Sequence, residues 1–166
     1  ASSGAGKEAV EQLKRENAAI AAGGYQNVQV AVEDKSMPQQ LAYNVFPHIG
    51  GFAECDYTSE EWKLVQETHK IMHDDKIKIS ATTVRVPVRT GHSEAVYIET
   101  AKAITPEDAR DILSKAPGVI VIDDPKKNLY PMPKDAEGKD QIFVGRIRRD
   151  PFIKHGLWLW VVADNL

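Results

Sequence analysis

Ala81-Thr82-Thr83-Val84-Arg85-Val86-Pro87-Val88-Arg89-Thr90-Gly91-His92-Ser93-Glu94-Ala95-Val96 is the stretch around which the rest of the chain is organised. Its first half is β-branched and rises from Ile77 and Ile79; its last part resumes a strand pattern through Tyr97 and Ile98. The pattern predicts two strand-like runs, about 77–88 and 94–102, on either side of a bend broken by Pro87 and Gly91. Arg85 and His92 flank that bend. A guanidinium offers a planar fork to a carboxylate, and an imidazole changes charge near neutral pH. Held on a rigid sheet edge, the pair suits a small carboxylate-bearing substrate that undergoes proton transfer. The same two residue types beside a turn are also what an ordinary protein surface carries.

The bulk numbers set the frame. A chain of 166 residues, 42% hydrophobic and 27% charged, fits one globular domain with a real core. A net charge of -3 with no Lys/Arg run argues against a nucleic-acid partner. No apolar run approaches the roughly 18 residues of a membrane span, and no signal-like segment opens the chain. The single cysteine, Cys55, rules out an internal disulfide framework and fits a reducing, cytoplasmic setting. The chain starts at Ala1 without an initiator Met and stops straight after an apolar run, so both ends are read as cut.

Outward from the bend, helices carry the clearest signals. Glu8–Ala22 places Val10, Leu13, Asn17 and Ile20 at helical spacing and ends in Gly23-Gly24, which predicts a helix over about 6–22. The small residues before it, Ser3, Gly4, Ala5 and Gly6, suit either a plain helix start or backbone N–H groups approaching a cofactor. Lys7 is followed by Glu8 rather than Ser or Thr, so a phosphate-binding P-loop is rejected. Thr58-Ser59-Glu60-Glu61 is a capping box for a helix to about His73, with Trp62, Val65, His69, Ile71 and Met72 as its apolar stripe. Glu60 with Lys63 reads as a surface ion pair or as a recognition pair one helical turn apart. Thr105-Pro106-Glu107-Asp108 starts a third helix, with Ala109, Ile112, Leu113 and Ala116 facing inward.

Between these lie strand-like segments. Val28, Val30 and Val32 alternate with polar residues; Val119–Ile122 is short and wholly apolar; Gln141–Arg149 alternates; Leu157–Val162 is dense. Three helices with five to seven strands describe an α+β fold with a mixed, largely antiparallel sheet and helices on one face. Three tempting sites are set aside. Cys55 lies between Glu54 and Asp56, whereas a catalytic thiolate needs positive surroundings. Asp123-Asp124 lacks further metal-ligand spacing. Gly91-His92-Ser93 runs into a strand pattern rather than the helix a nucleophile elbow requires.

Five segments resemble one family. Ser3-Gly4-Ala5-Gly6-Lys7-Glu8, Glu60-Glu61-Trp62-Lys63 ahead of Glu67-Thr68-His69-Lys70-Ile71, Arg85-Val86-Pro87-Val88 with Gly91-His92-Ser93-Glu94, Val144-Gly145-Arg146-Ile147-Arg148, and Trp160-Val161-Val162-Ala163-Asp164-Asn165-Leu166 resemble the aspartate-β-semialdehyde dehydrogenases. The resemblance implies the catalytic/dimerisation domain of such an enzyme over residues 1–166, with the free sheet face as dimer surface. It implies an NADP-dependent reaction that interconverts aspartate β-semialdehyde and β-aspartyl phosphate, on the route to lysine, threonine, methionine and isoleucine. In that picture His92 is the general acid/base, Arg85 clamps the substrate α-carboxylate, Glu60 assists it or the amino group, and Lys63 attracts phosphate. Ser3, Gly4, Ala5, Gly6 and Asn165 lie near the nicotinamide, and no metal takes part. The family's nucleophilic cysteine sits in an Asn-Cys motif that this chain lacks, and its nucleotide-binding half is absent too. The expectation is therefore an inactive fragment of a homodimer or dimer of dimers. A non-catalytic dimerisation or binding module, and the related N-acetyl-glutamyl-phosphate reductase type, are the alternatives.

Overall fold

The computed structural model describes residues 1–25, 28, 37 and 39–165. Its contacts divide into two compact units. One comprises Ala1, Ser3 and Val88–Leu166, the other Ser2 and Gly4–Pro87. Each is described by itself.

The second unit is built on two helices, α1 (Lys7–Gly23) and α2 (Ser59–Met72). Helix α1 has no Pro, and no Gly before its last residue, and it ends with the Gly24 N–H donating to the Ile20 carbonyl at 2.8 Å. Its buried residues are Ala9, Gln12, Leu13 and Glu16. Of the expected stripe, Leu13 is in the core, Val10 and Ile20 are half-buried, and Asn17 is exposed. The face is rotated because Glu16 has a structural task. One carboxylate oxygen accepts the backbone N–H groups of Leu41 (2.8 Å) and Ala42 (2.7 Å), and the other accepts Gln12 Nε2 (2.8 Å). A buried carboxylate survives only when its lone pairs are filled in this way. The loop it gathers completes a core of Ala9, Leu13, Met37, Leu41, Ala42 and Phe46.

Helix α2 begins as its sequence dictates. The Glu61 N–H donates to Thr58 Oγ1, and the Thr58 N–H donates to Glu61 Oε2 at 2.8 Å. His73 closes it in the left-handed conformation (φ 53°). The far end of the expected stripe is not buried: Ile71 is 72% and Met72 61% exposed. Helical periodicity marks a face but does not supply the element that covers it. Cys55 is exposed in a one-turn 3-10 segment, Glu54–Asp56.

The first unit is a four-stranded sheet of β1 (His92–Glu99), β2 (Val119–Val121), β3 (Ile142–Arg149) and β4 (Gly156–Ala163), in the order β1-β4-β3-β2. β1 and β3 run antiparallel to β4, and β2 runs parallel to β3. The expected α+β class with a mixed, largely antiparallel sheet is thus what forms, with fewer strands than expected among the described residues. Helix α3 (Pro106–Ser114), capped by Thr105 and Asp108, covers one sheet face through Ala109, Val144, Ile147 and Leu157. A single turn, α4 (Pro133–Ala136), meets the opposite face at Ala136, Phe143 and Val162. Ile112, expected in the core, is 57% exposed, because a nine-residue helix buries only a narrow stripe.

Two strand expectations need correcting. The run 77–88 is not a strand. Among the described residues its one ladder contact is an isolated bridge, Phe46↔Arg85, because β-branched residues make a strand only where a partner strand exists. The alternation in Gln141–Arg149 is also broken, since the register shifts between Gly145 and Arg148 and Arg146 takes φ 53°. Ile147 thereby joins Val144 on one face despite the odd spacing. The strand expected at Val28, Val30 and Val32 lies outside the described residues except for Val28, as does Leu166.

Candidate functional site

The second unit holds the predicted recognition residues. Arg85 is 7% exposed. Its backbone is fixed by two hydrogen bonds to Phe46, with Arg85 N–H donating at 2.8 Å and Phe46 N–H donating at 3.1 Å. Burial pulls the guanidinium's pKa down, and the nearby Glu60 carboxylate pushes it back up. Glu60 therefore lies within electrostatic reach of Arg85, as a residue that assists it must. Glu60 also pairs with Lys63 at 3.5 Å across one turn of α2, with both side chains substantially exposed (40% and 55%). That pair stabilises little by itself, so the ammonium is available to an anion. Thr83, two residues before Arg85, donates its N–H to Glu61 Oε1 at 2.8 Å.

The first unit holds His92 and Asn165. His92 opens β1, exposed, opposite Ala163. The residue before it, Gly91, has φ +91° and is buried. A Cβ there would stand 3.3 Å from both the Ala163 carbonyl oxygen and Pro133 Cβ, so the turn that delivers His92 needs glycine. Gly91 N–H donates to Asn165 Oδ1 at 2.7 Å, and Ser3 Oγ donates to the same oxygen at 3.0 Å. A backbone N–H can only donate, which fixes the Asn165 amide with its oxygen inward and its NH₂ turned away. Ser3 is tied in a second time, its N–H donating to the Arg89 carbonyl at 2.9 Å. Two residues expected near the nicotinamide are therefore bonded to each other and to the turn before His92. Gly4 and Ala5 complete the short 3-10 turn with Ser3, and a Cβ on Gly6 would meet nothing within 4 Å.

The residues set aside have other work. Asp123 accepts Arg110 Nε at 2.7 Å and the Ile147 N–H at 3.2 Å, bracing the β3 bulge. Ser93 lies inside β1 with no helix following. Among the described residues no helix is long and apolar enough to cross a membrane, and no group of three metal-ligating side chains forms. Sequence reading assigned Glu61 only to the helix cap. Its second bond, to Thr83, crosses 22 residues of sequence and leaves no local signal.

The fold defines a class: the chain belongs to the semialdehyde dehydrogenase dimerisation-domain family, whose model it matches over residues 1–166. Within that class its relatives are aspartate-semialdehyde dehydrogenases. That of Aquifex aeolicus is 52% identical over 164 residues and that of Legionella pneumophila 50% over 165, in each case with 99% of this chain aligned. The chain spans about half the length of these relatives, 47% and 46%. The Vibrio cholerae aspartate semialdehyde dehydrogenase II, solved in complex with ASA, superposes with a TM-score of 0.88 at 39% identity, over 98% of this chain and 46% of that one. The Candida albicans enzyme, solved with NADP, gives 0.61 at 25% identity over 76% of this chain and 40% of that one.

Proposed function

We propose that the protein carrying this chain is an NADP-dependent, phosphorylating aspartate-semialdehyde dehydrogenase acting in cytoplasmic amino-acid biosynthesis. This chain supplies its substrate-recognition residues, its proton-transfer residue and its pairing surface. The observation that carries the reading is Arg85. A guanidinium that is almost fully buried, on a backbone held by two hydrogen bonds and within reach of the Glu60 charge, is a preformed receptor for a substrate carboxylate. The identity to aspartate-semialdehyde dehydrogenases, 52% with that of Aquifex aeolicus, supports the same substrate.

Each residue then has a task. Arg85 binds the α-carboxylate and so fixes the reacting aldehyde carbon. Glu60 balances Arg85 and accepts from the substrate amino group. Lys63, on the same helix face one turn on, attracts inorganic phosphate. His92 takes the proton from a cysteine thiol as it adds to the aldehyde, and returns one as the thiolate leaves. That thiol comes from a cysteine other than Cys55, which sits in an acidic turn. NADP, when bound, accepts the hydride. Ser3, Gly4, Ala5, Gly6 and Asn165 would hold its nicotinamide end. The overall change converts aldehyde, phosphate and NADP to acyl phosphate, NADPH and a proton. Two copies pair through the sheet face that α3 leaves uncovered, where Ala95, Tyr97 and Trp158 lie.

The test is an initial-rate assay on the purified full-length protein, following NADPH absorbance with aspartate β-semialdehyde. The reading expects NADPH formation that requires both the aldehyde and phosphate. No NADPH, or NADPH formed equally well without phosphate, overturns it.

A further inference from the structure

We infer that Glu61 is a positioning residue for Arg85, acting by tying the segment that carries Arg85 to the helix that carries Glu60 and Lys63. Glu61 is 6% exposed, and its carboxylate splits its two oxygens between two segments. Oε2 accepts the Thr58 N–H at 2.8 Å and closes the start of α2. Oε1 accepts the Thr83 N–H at 2.8 Å, with Thr83 Oγ1 a looser donor at 3.5 Å. Thr58 Oγ1 and Thr83 Oγ1 also meet, at 3.3 Å, so the join involves three side chains, Glu61, Thr58 and Thr83, and the Thr83 backbone N–H. A helix cap needs only the first of these oxygens. The second is spent on a residue 22 positions away.

The location gives that bond its consequence. Among the described residues the segment entering Arg85 belongs to no strand, so individual contacts set its course. One is the Phe46↔Arg85 bridge. Another is the Glu61–Thr83 bond, with only Val84 between Thr83 and Arg85. The bridge fixes Arg85 relative to the Phe46 loop; the carboxylate fixes it relative to α2. Glu60 and Lys63 lie on α2 on either side of Glu61. Without Glu61 the Arg85 backbone keeps its bridge to Phe46, but the guanidinium loses its defined spacing from Glu60 and Lys63. The donated N–H groups also hold the Glu61 carboxyl below its ordinary pKa, so it remains an anion throughout the neutral range.

This inference rests on the proposed enzymatic function for its kinetic part and on hydrogen exchange for its structural part. The variants, in the full-length protein, are Glu61→Ala, Thr58→Ala and Arg85→Ala. Thr58→Ala damages the same helix cap and removes the weak 3.3 Å hydroxyl contact to Thr83, while leaving the 2.8 Å Glu61 bond to the Thr83 N–H. We expect Glu61→Ala to raise KM for the aldehyde roughly tenfold or more with a smaller change in kcat, since misplacing a binding group by about 1 Å is costly. Thr58→Ala should lower thermal stability and leave KM within about twofold. On an Arg85→Ala background, Glu61→Ala should add nothing further to KM. Residue-resolved hydrogen exchange should show faster exchange at the Arg85 amide, which bonds to Phe46, in Glu61→Ala but not in Thr58→Ala. An unaltered KM and Arg85 exchange rate in Glu61→Ala, or equal effects in Thr58→Ala, would reduce Glu61 to a helix cap and overturn the inference. If the wild-type protein fails to turn over the aldehyde, the functional reading falls by itself, and the exchange comparison still decides the role of Glu61.

Discussion

Arg85 shows how much a residue's type and surroundings each contribute. The guanidinium was legible from the Arg85-Val86-Pro87-Val88 run, but its burial was not, because burial depends on residues remote in sequence, such as Phe46, which bridges to the Arg85 backbone. The burial makes a sharp prediction. Arg85→Lys keeps the charge but loses the planar fork, and so should still raise KM for the aldehyde strongly. Arg85→Ala should cost about 2–5 kcal/mol of substrate binding, the scale for removing one member of a buried charge pair. Steady-state kinetics of the two variants check this, and a Lys variant with wild-type KM would show that the fork is not used. A second prediction concerns acid. Backbone and side-chain hydrogen bonds hold the Glu61, Asp108 and Asp150 carboxyls below their ordinary values of 4.5, 3.8 and 3.8. Each is more acidic folded than unfolded, so its stabilisation is complete above the ordinary value and is lost as pH falls through the folded one. The thermal midpoint should hold down to about pH 4.5 and drop below it, and Glu61→Gln should make that drop shallower. Calorimetry across pH 2–7 reads both.

At the scale of elements, caps were legible and partners were not. Thr58/Glu61 and Thr105/Asp108 are local signatures, and both helices start where those signatures place them. Strand pairing is a non-local property, which is why 77–88 looked like a strand and is not. The β3 bulge lies between these cases. Its sequence sign is the parity change from Val144 to Ile147, and its support is remote: Asp123 accepts the Ile147 N–H, while Arg110 donates to the Ile147 carbonyl at 2.8 Å. Asp123→Ala should destabilise the fold by about 1–3 kcal/mol, because it strands the Ile147 N–H. Gly145, where the bulge begins, is a second test. A Cβ there would collide with the Ile122 carbonyl oxygen and stand 2.6 Å from Pro131 Cδ. Since the obstacle includes backbone, Gly145→Ala should cost about 1–3 kcal/mol. Thermal melts measure both, and a Gly145→Ala midpoint equal to wild type would mean that β3 and Ile122 can move apart at little cost.

For the molecule as a whole, the class of fold followed from the alternation of helical and strand periodicities, and the family from five short segments spread over the chain. What the sequence could not express was which surfaces remain open. The sheet face opposite α3 carries Tyr97 against Trp158 (ring centroids 5.0 Å) with Arg148 over the same indole at 5.5 Å, and Ala95 lies exposed beside them on β1. If two copies pair there, Ala95→Glu places a charge in the interface without disturbing the core, and sedimentation should show the dimer weakened. The central claim is that Arg85 recognises substrate and His92 moves the proton. The most direct measurement is steady-state kinetics of the full-length protein with aspartate β-semialdehyde and phosphate, comparing wild type, Arg85→Ala and His92→Asn. The account predicts that Arg85→Ala acts mainly on KM and His92→Asn mainly on kcat. Two variants as active as wild type would contradict it and leave the bend at 85–92 a purely structural feature.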